Sequence, residues 1–226
     1  MIREEALALQ ESSNITASTK LNDAGFNSFF KMGWKRFYLK WYETTLPSAN
    51  QLCPKTVALI ESVDSVRAGM FAMLPSGARL VRHRDPYAGS LRYHLGLVTP
   101  NSADCFISVD GEEYYWKDGE AVLFDETFIH FAENKSDIDR IILFLDVKRP
   151  LRSLLIDKIN EFVSSTFMAA STTENLPGDR VGILNRAFGH VYKIRLVGKK
   201  IKQFNVPLYY AITYGLYLTL IYLIFF

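Results

Sequence analysis

The stretch that decides the fold begins at Val66: VRAGMFAML (66–74), PSG (75–77), ARLVRHRD (78–85), LRYHLGLV (91–98), CFISVD (105–110), EEYYWK (112–117), EAVLFD (120–125), FIHFAEN (128–134) and DRIILFLDV (139–147). Apolar runs of five to nine residues alternate with short turn signals. Asp110-Gly111 and Asp118-Gly119 are hairpin turn dipeptides. About eight short strands in some 82 residues describe an all-β sandwich or small barrel, because βαβ units need a helix between strands. The β region closes at Arg149-Pro150.

Outward from it the sequence divides further. Residues 1–65 are expected to be a helical segment packing on the core. In it 1–20 are polar, 22–43 carry aromatics at helical spacing, and Pro54 opens a shorter helix. Residues 66–150 are the β core. Residues 151–203 are a basic, amphipathic helical segment, with Leu151, Leu154, Leu155, Ile159, Phe162 and Val163 at helical spacing. Residues 204–226 are expected to be a transmembrane anchor. Its last 21 residues carry no charge, and as a helix they would run about 31 Å, close to a bilayer's hydrocarbon thickness.

The whole chain has 226 residues and a net charge of +2, but that balance is uneven. Residues 1–150 carry 17 basic and 20 acidic side chains, whereas 151–226 carry nine and four. Lys193, Arg195, Lys199, Lys200 and Lys202 precede the apolar tail, which by the positive-inside rule places the core on the cytoplasmic side of the membrane. Nucleic acid is not an expected partner, since these cations adjoin the tail rather than striping the core. The opening Met-Ile-Arg-Glu-Glu lacks the apolar region of a cleaved signal. Cys53 and Cys105 sit far apart in no metal-binding spacing and read as free thiols. No dinucleotide or phosphate loop follows a strand.

Three of the four histidines lie in the β region. His83 and Asp85, two apart on an extended segment, point to one face and can ligate one metal side by side. His130, 47 residues beyond His83, can complete the set. Two histidines and one carboxylate, with the opposite positions open, are the ligands of non-haem Fe(II) oxygenases. Arg140 sits in a run that should be buried, and a buried guanidinium needs an anionic partner. It could hold the far carboxylate of 2-oxoglutarate through two parallel hydrogen bonds. Arg92 and His94 share one face of LRYHLGL, either inward over the metal or out to solvent.

The elements HRDP (83–86), LRYHLGL (91–97), Trp116 with Gly119-Glu120, FDETFIH (124–130), Arg140 and FLDVKRP (144–150) are similar to those of the aspartyl/asparaginyl β-hydroxylases. GWKRFYL (33–39) and CPKT (53–56) extend the likeness upstream. The resemblance implies a mainly β double-stranded β-helix, a cupin-like jelly roll with flanking helices. It implies a dioxygenase using Fe(II), 2-oxoglutarate and O2, with His83, Asp85 and His130 on the metal and Arg140, Arg92 and His94 on the cosubstrate. Asp85 stands where some peptide-hydroxylating members have glycine, and Ala72 where such members have a cosubstrate-contacting serine. With the basic segment and tyrosine-rich tail, the chain most resembles bacterial lipid A hydroxylases, which act on C2 of a secondary acyl chain. Ornithine-lipid hydroxylation, peptide β-hydroxylation and a non-catalytic lipid-binding sandwich are the alternatives.

Overall fold

The computed structural model describes residues 1–18 and 23–225, with the side chains of 220, 221 and 223–225 left out of the description. Ten strands form two antiparallel sheets. They are β1 (Lys35–Trp41), β2 (Thr44–Thr45), β3 (Val66–Leu74), β4 (Arg79–His83), β5 (Ser90–Val98), β6 (Cys105–Val109), β7 (Glu112–Tyr115), β8 (Ala121–Phe124), β9 (His130–Asn134) and β10 (Arg140–Lys148). One sheet has the order β2-β1-β3-β10-β5-β8, the other β4-β9-β6-β7. The eight strands β3 to β10 thus interleave between two four-stranded layers, which is the jelly-roll arrangement of a double-stranded β-helix. β1 and β2 widen the first layer.

The core lies where strands present apolar residues on both faces. β3 is buried from Ala68 to Leu74, and β10 from Arg140 to Asp146. These two pair along their length, Phe71 opposite Leu143, and β1 and β5 flank them. Strands covered on both faces read as continuous apolar runs, as VRAGMFAML and RIILFLDV do.

Helices surround the sandwich: α1 (Ile2–Glu11), α2 (Asn27–Phe30), α3 (Pro47–Leu52), α4 (Pro54–Glu61), α5 (Leu154–Val163), α6 (Ile183–Phe204) and α7 (Val206–Phe225). The helix expected over 22–43 is corrected. Only Asn27–Phe30 is helical there. Gly33, at φ +91°, ends the turn, and Lys35–Trp41 then pairs with β3 as a strand. Aromatics at Phe37 and Trp41 suit either period, and sheet pairing wins over local pattern. The polar start, expected to fray or cap the domain, forms α1, whose Ala6 and Leu9 enter the core.

The expected transmembrane helix is also revised. Its residues are helical from Val206, but among the described residues no helix is long and apolar enough to cross a membrane. Tyrosines, Thr213 and Thr219 dilute the described part. The apolar end at 220, 221 and 223–226 lies outside the described side chains.

Phe71 is fully buried at the centre of β3. Phe71→Ala is expected to cost about 3–5 kcal/mol through lost transfer energy and the cavity left behind. Chemical denaturation checks this; a loss below ~1 kcal/mol would place the core elsewhere.

Candidate metal centre and cosubstrate pocket

His83 and His130 meet because β4 and β9 pair antiparallel, with the two residues as register partners. A register shift between Leu80 and His83 re-aims the end of β4. The two imidazoles stand 4.2 Å apart between ring centroids. Asp85 follows on the loop, its backbone N–H donating to the Glu126 carbonyl. Its Oδ1 lies 3.8 Å from His83 Nε2. One ligand atom from each of His83, Asp85 and His130 falls within 4.8 Å of the others, so the three sequence-assigned residues converge on one point.

The backbone sets the tautomers. His83 Nδ1 is 2.7 Å from the Val81 carbonyl and His130 Nδ1 is 2.9 Å from the Phe128 carbonyl. A carbonyl only accepts, so each Nδ1 carries the proton and each Nε2 keeps its lone pair for a metal. Burial also holds His130 below the usual histidine range, favouring its neutral, ligating form. The ring of Phe29 packs on His83 at 4.7 Å and shields that side.

Behind the ligands is an enclosed pocket shared by Ala72, His94, Trp116, Arg140 and Phe144. Arg140 is 2% exposed, yet it faces no carboxylate among the described residues. Its guanidinium lies over the Trp116 ring at 4.3 Å. Burial of this unpaired cation brings its pKa down to about 10. Arg140 Nε, both His94 ring nitrogens and Trp116 Nε1 are buried without a hydrogen-bond partner. Burial, with the Arg92 and Arg140 charges, pushes His94 well below its usual range, so the ring is neutral. Buried polar atoms are almost always paired. A cluster of orphans around an unpaired cation is what a missing anionic ligand leaves behind, and a small dicarboxylate fits that donor set. His94, Arg140 and Ala72 line this one pocket.

Arg92 is different. It borders the pocket from β5 but is already held by three carboxylates. Its Nη2 is 2.8 Å from Asp85 Oδ2 and its Nε is 2.9 Å from Asp146 Oδ1, while Glu126 forms a third, close ion pair. Ser90 Oγ donates to Glu126 and the Tyr42 hydroxyl donates to Asp146. Burial raises Asp146 above its ordinary range and pushes Glu126 up to about 7. Asp85 therefore has one oxygen toward the histidines and the other on Arg92, the outer-shell arrangement that orients a ligating carboxylate.

Sequence reasoning did not single out Glu126, Asp146 or Tyr42 as parts of this cluster. Asp146 carried a usable signal, since it shares the inward face of β10 with Ile142 and Phe144. Glu126 sits on a loop and carried none.

Residues 1–150 match the sequence profile of the aspartyl/asparaginyl β-hydroxylases. The chain belongs to this family. Among relatives, the chain is 36% identical over 121 residues to the ornithine lipid ester-linked acyl 2-hydroxylase of Rhizobium tropici, covering 53% of this chain and 43% of that protein. It is 30% identical over 126 residues to the human aspartate β-hydroxylase domain-containing protein 2, covering 52% and 34%. The chain spans less than half the length of these curated relatives. Among solved structures, the Cnp3 cupin domain of Schizosaccharomyces pombe aligns with a TM-score of 0.39 at 11% identity, over 58% of this chain and 69% of that one.

Arg92→Lys cannot hold three carboxylates in one plane. It is expected to weaken binding of Co(II), used as a spectroscopic stand-in, by roughly 10–100-fold. Absorbance titration measures this. Unchanged Co(II) affinity with a raised KM for 2-oxoglutarate would instead return Arg92 to the cosubstrate.

Proposed function

We propose that the chain is an Fe(II)- and 2-oxoglutarate-dependent dioxygenase that hydroxylates an acyl chain of a membrane lipid, beside the ester carbonyl. The observation that carries the cofactor reading is the unpaired, buried Arg140 with its orphaned neighbours, set next to three convergent metal ligands. When bound, the metal and 2-oxoglutarate would together supply the oxidising power to insert one oxygen atom of O2 into an unactivated C–H bond.

The chain's own residues do the rest. Nε2 of His83 and of His130 and Oδ1 of Asp85 would hold the metal on one side and leave its other side open. Arg140 would grip the far carboxylate of the cosubstrate by two N–H donors, which fixes its direction as well as its charge. The orphaned N–H of Trp116 and that of neutral His94 point into the same pocket and can donate to it. Phe29, Phe124 and Phe144 wall the site with apolar surface and exclude water. Arg92 keeps the metal-binding carboxylate oriented from behind.

An acyl chain suits such chemistry because it offers no acid, base or nucleophile to work on. The acyl position and the lipid class are supported by the Rhizobium relative, whose name states an ester-linked acyl 2-hydroxylase of ornithine lipid. A secondary acyl chain of lipid A is the other candidate, favoured by the cationic C-terminal segment. With either lipid, the enzyme would act at the cytoplasmic face of the inner membrane.

Lipid extracts from cells with and without the gene, compared by mass spectrometry, test this. The expected product is one lipid class gaining a single oxygen on an acyl chain; no such difference sinks the reading. His83→Ala and His130→Ala are each expected to abolish Fe(II)-dependent succinate release. Wild-type release by both would reject the metal assignment. Arg140→Ala should chiefly raise the KM for 2-oxoglutarate, and an unchanged KM would remove its carboxylate role.

A further inference from the structure

α5 is mounted on the domain the wrong way round for a helix in water. The one buried residue of α5 is Asn160, and the one buried residue of α6 is Asn185. Asn160 donates to the Gly89 carbonyl at 3.0 Å and accepts from the Tyr87 hydroxyl at 2.6 Å. A side chain at Gly89 would collide with it, a Cβ falling 1.8 Å from Asn160 Oδ1. Asp157 and Glu161, beside Asn160, pair with Lys148, and Glu161 also pairs with Arg67. Asn185 accepts from the Ala24 N–H and donates to the Thr172 carbonyl. α5 therefore docks through its polar side, whereas α6 is anchored near its N-terminus by Asn185 and is exposed along most of its length.

The apolar side of α5 faces out. On and just after it, Leu154 is 83% exposed, Leu155 69%, Phe162 61% and Phe167 59%. On α6, Val191 and Ile194 are also exposed and line a groove shared with Tyr209, Ile212 and Leu216 of α7. Surface helices in water place such residues on the core, and contiguous exposed apolar patches mark an interaction surface.

The charges say what covers it. α6 carries Arg186, Lys193, Arg195, Lys199, Lys200 and Lys202, and it has no acidic residue. A self-complementary contact with a second copy would set these cations against their own equivalents. An anionic bilayer satisfies both features at once, with the apolar side chains among the acyl tails and the cations among the headgroups. The surface also adjoins the site. Between α5 and the loop after Asp85 runs a groove of about 500 Å³, bordered by Tyr87, Leu151, Ile156, Ile159 and Val163. Asp125 and Thr127, on the loop leading to His130, line its other side.

We propose that the outward apolar face of α5, with the α6 cations, forms an interfacial docking surface that seats the mouth of the site on an anionic lipid bilayer. Its purpose rests on the lipid-hydroxylase reading above, but the binding can be measured with no turnover.

The test pellets chain 1–226 with vesicles of phosphatidylcholine, with or without phosphatidylglycerol. Wild type is expected to pellet with the anionic vesicles. Leu155→Glu combined with Phe162→Glu should weaken this roughly tenfold or more, since two buried apolar groups become charged. Lys199→Gln combined with Lys200→Gln, which leaves all packing in place, should reduce the preference for phosphatidylglycerol and its salt sensitivity. Substrate-free succinate release should be the same in every variant, which shows an intact fold. Wild-type pelleting by both double variants overturns the surface. So does a wild type that ignores vesicles and forms a dimer that Leu155→Glu with Phe162→Glu dissociates. A wild type that pellets but releases no succinate rejects the oxygenase reading and leaves the surface standing; release without pelleting does the reverse.

Discussion

The grip of Arg92 on Asp85, Glu126 and Asp146 is the interaction on which the site depends. Arg92 comes from β5, Asp146 from β10, Asp85 from the loop after β4, and Glu126 from the loop before β9. The loops that carry Asp85 and Glu126, beside the candidate ligands on β4 and β9, are thus tied to the layer opposite their own strands. Such a buried group of charges is costly to assemble, and removing one member leaves the others uncompensated, typically at about 3–5 kcal/mol. The cluster is therefore better understood as a device for position than as a source of net stability. It keeps one carboxylate oxygen toward two imidazoles whose tautomers the backbone has already set.

The second constraint is opposite in character. Arg140 is buried with no anion beside it, over Trp116 and near a neutral His94. A folded protein tolerates this where a ligand completes the set, because burying an unmatched charge is expensive. Two arginines, 92 and 140, face the same pocket from neighbouring strands, and only the second is free to receive a carboxylate. The resemblance had implied cosubstrate contact for both. The difference lies in three carboxylates drawn from separate parts of the chain, whose meeting no local pattern in the sequence announces.

The helices after the sandwich extend the same logic. Asn160 and Asn185 are short, polar and buried; Asn160 is held by the Gly89 carbonyl and the Tyr87 hydroxyl, Asn185 by the Ala24 N–H and the Thr172 carbonyl. The apolar residues that a sequence pattern assigns to packing are instead turned outward. Helical periodicity finds an amphipathic helix but does not say which face meets the protein, since a bilayer and a core ask for the same spacing.

Much was legible in the residue order alone. The turn dipeptides and the apolar runs of Val66–Val147 described eight short strands, because hairpin chemistry and two-residue alternation are local properties. His83 and Asp85 were legible as a candidate ligand pair because their spacing places them on one face, with His130 able to complete the set. Arg140 stood out as a charge inside an apolar run. Other features depended on contacts distant in sequence. The strand at Lys35–Trp41 formed because β3 offered an open edge. Arg92 went to three carboxylates 7, 34 and 54 residues away. The direction in which α5 faces was decided by Asn160 finding partners at Tyr87 and Gly89. Composition and spacing act along the chain, and these choices were settled only by what the folded sheets brought within reach.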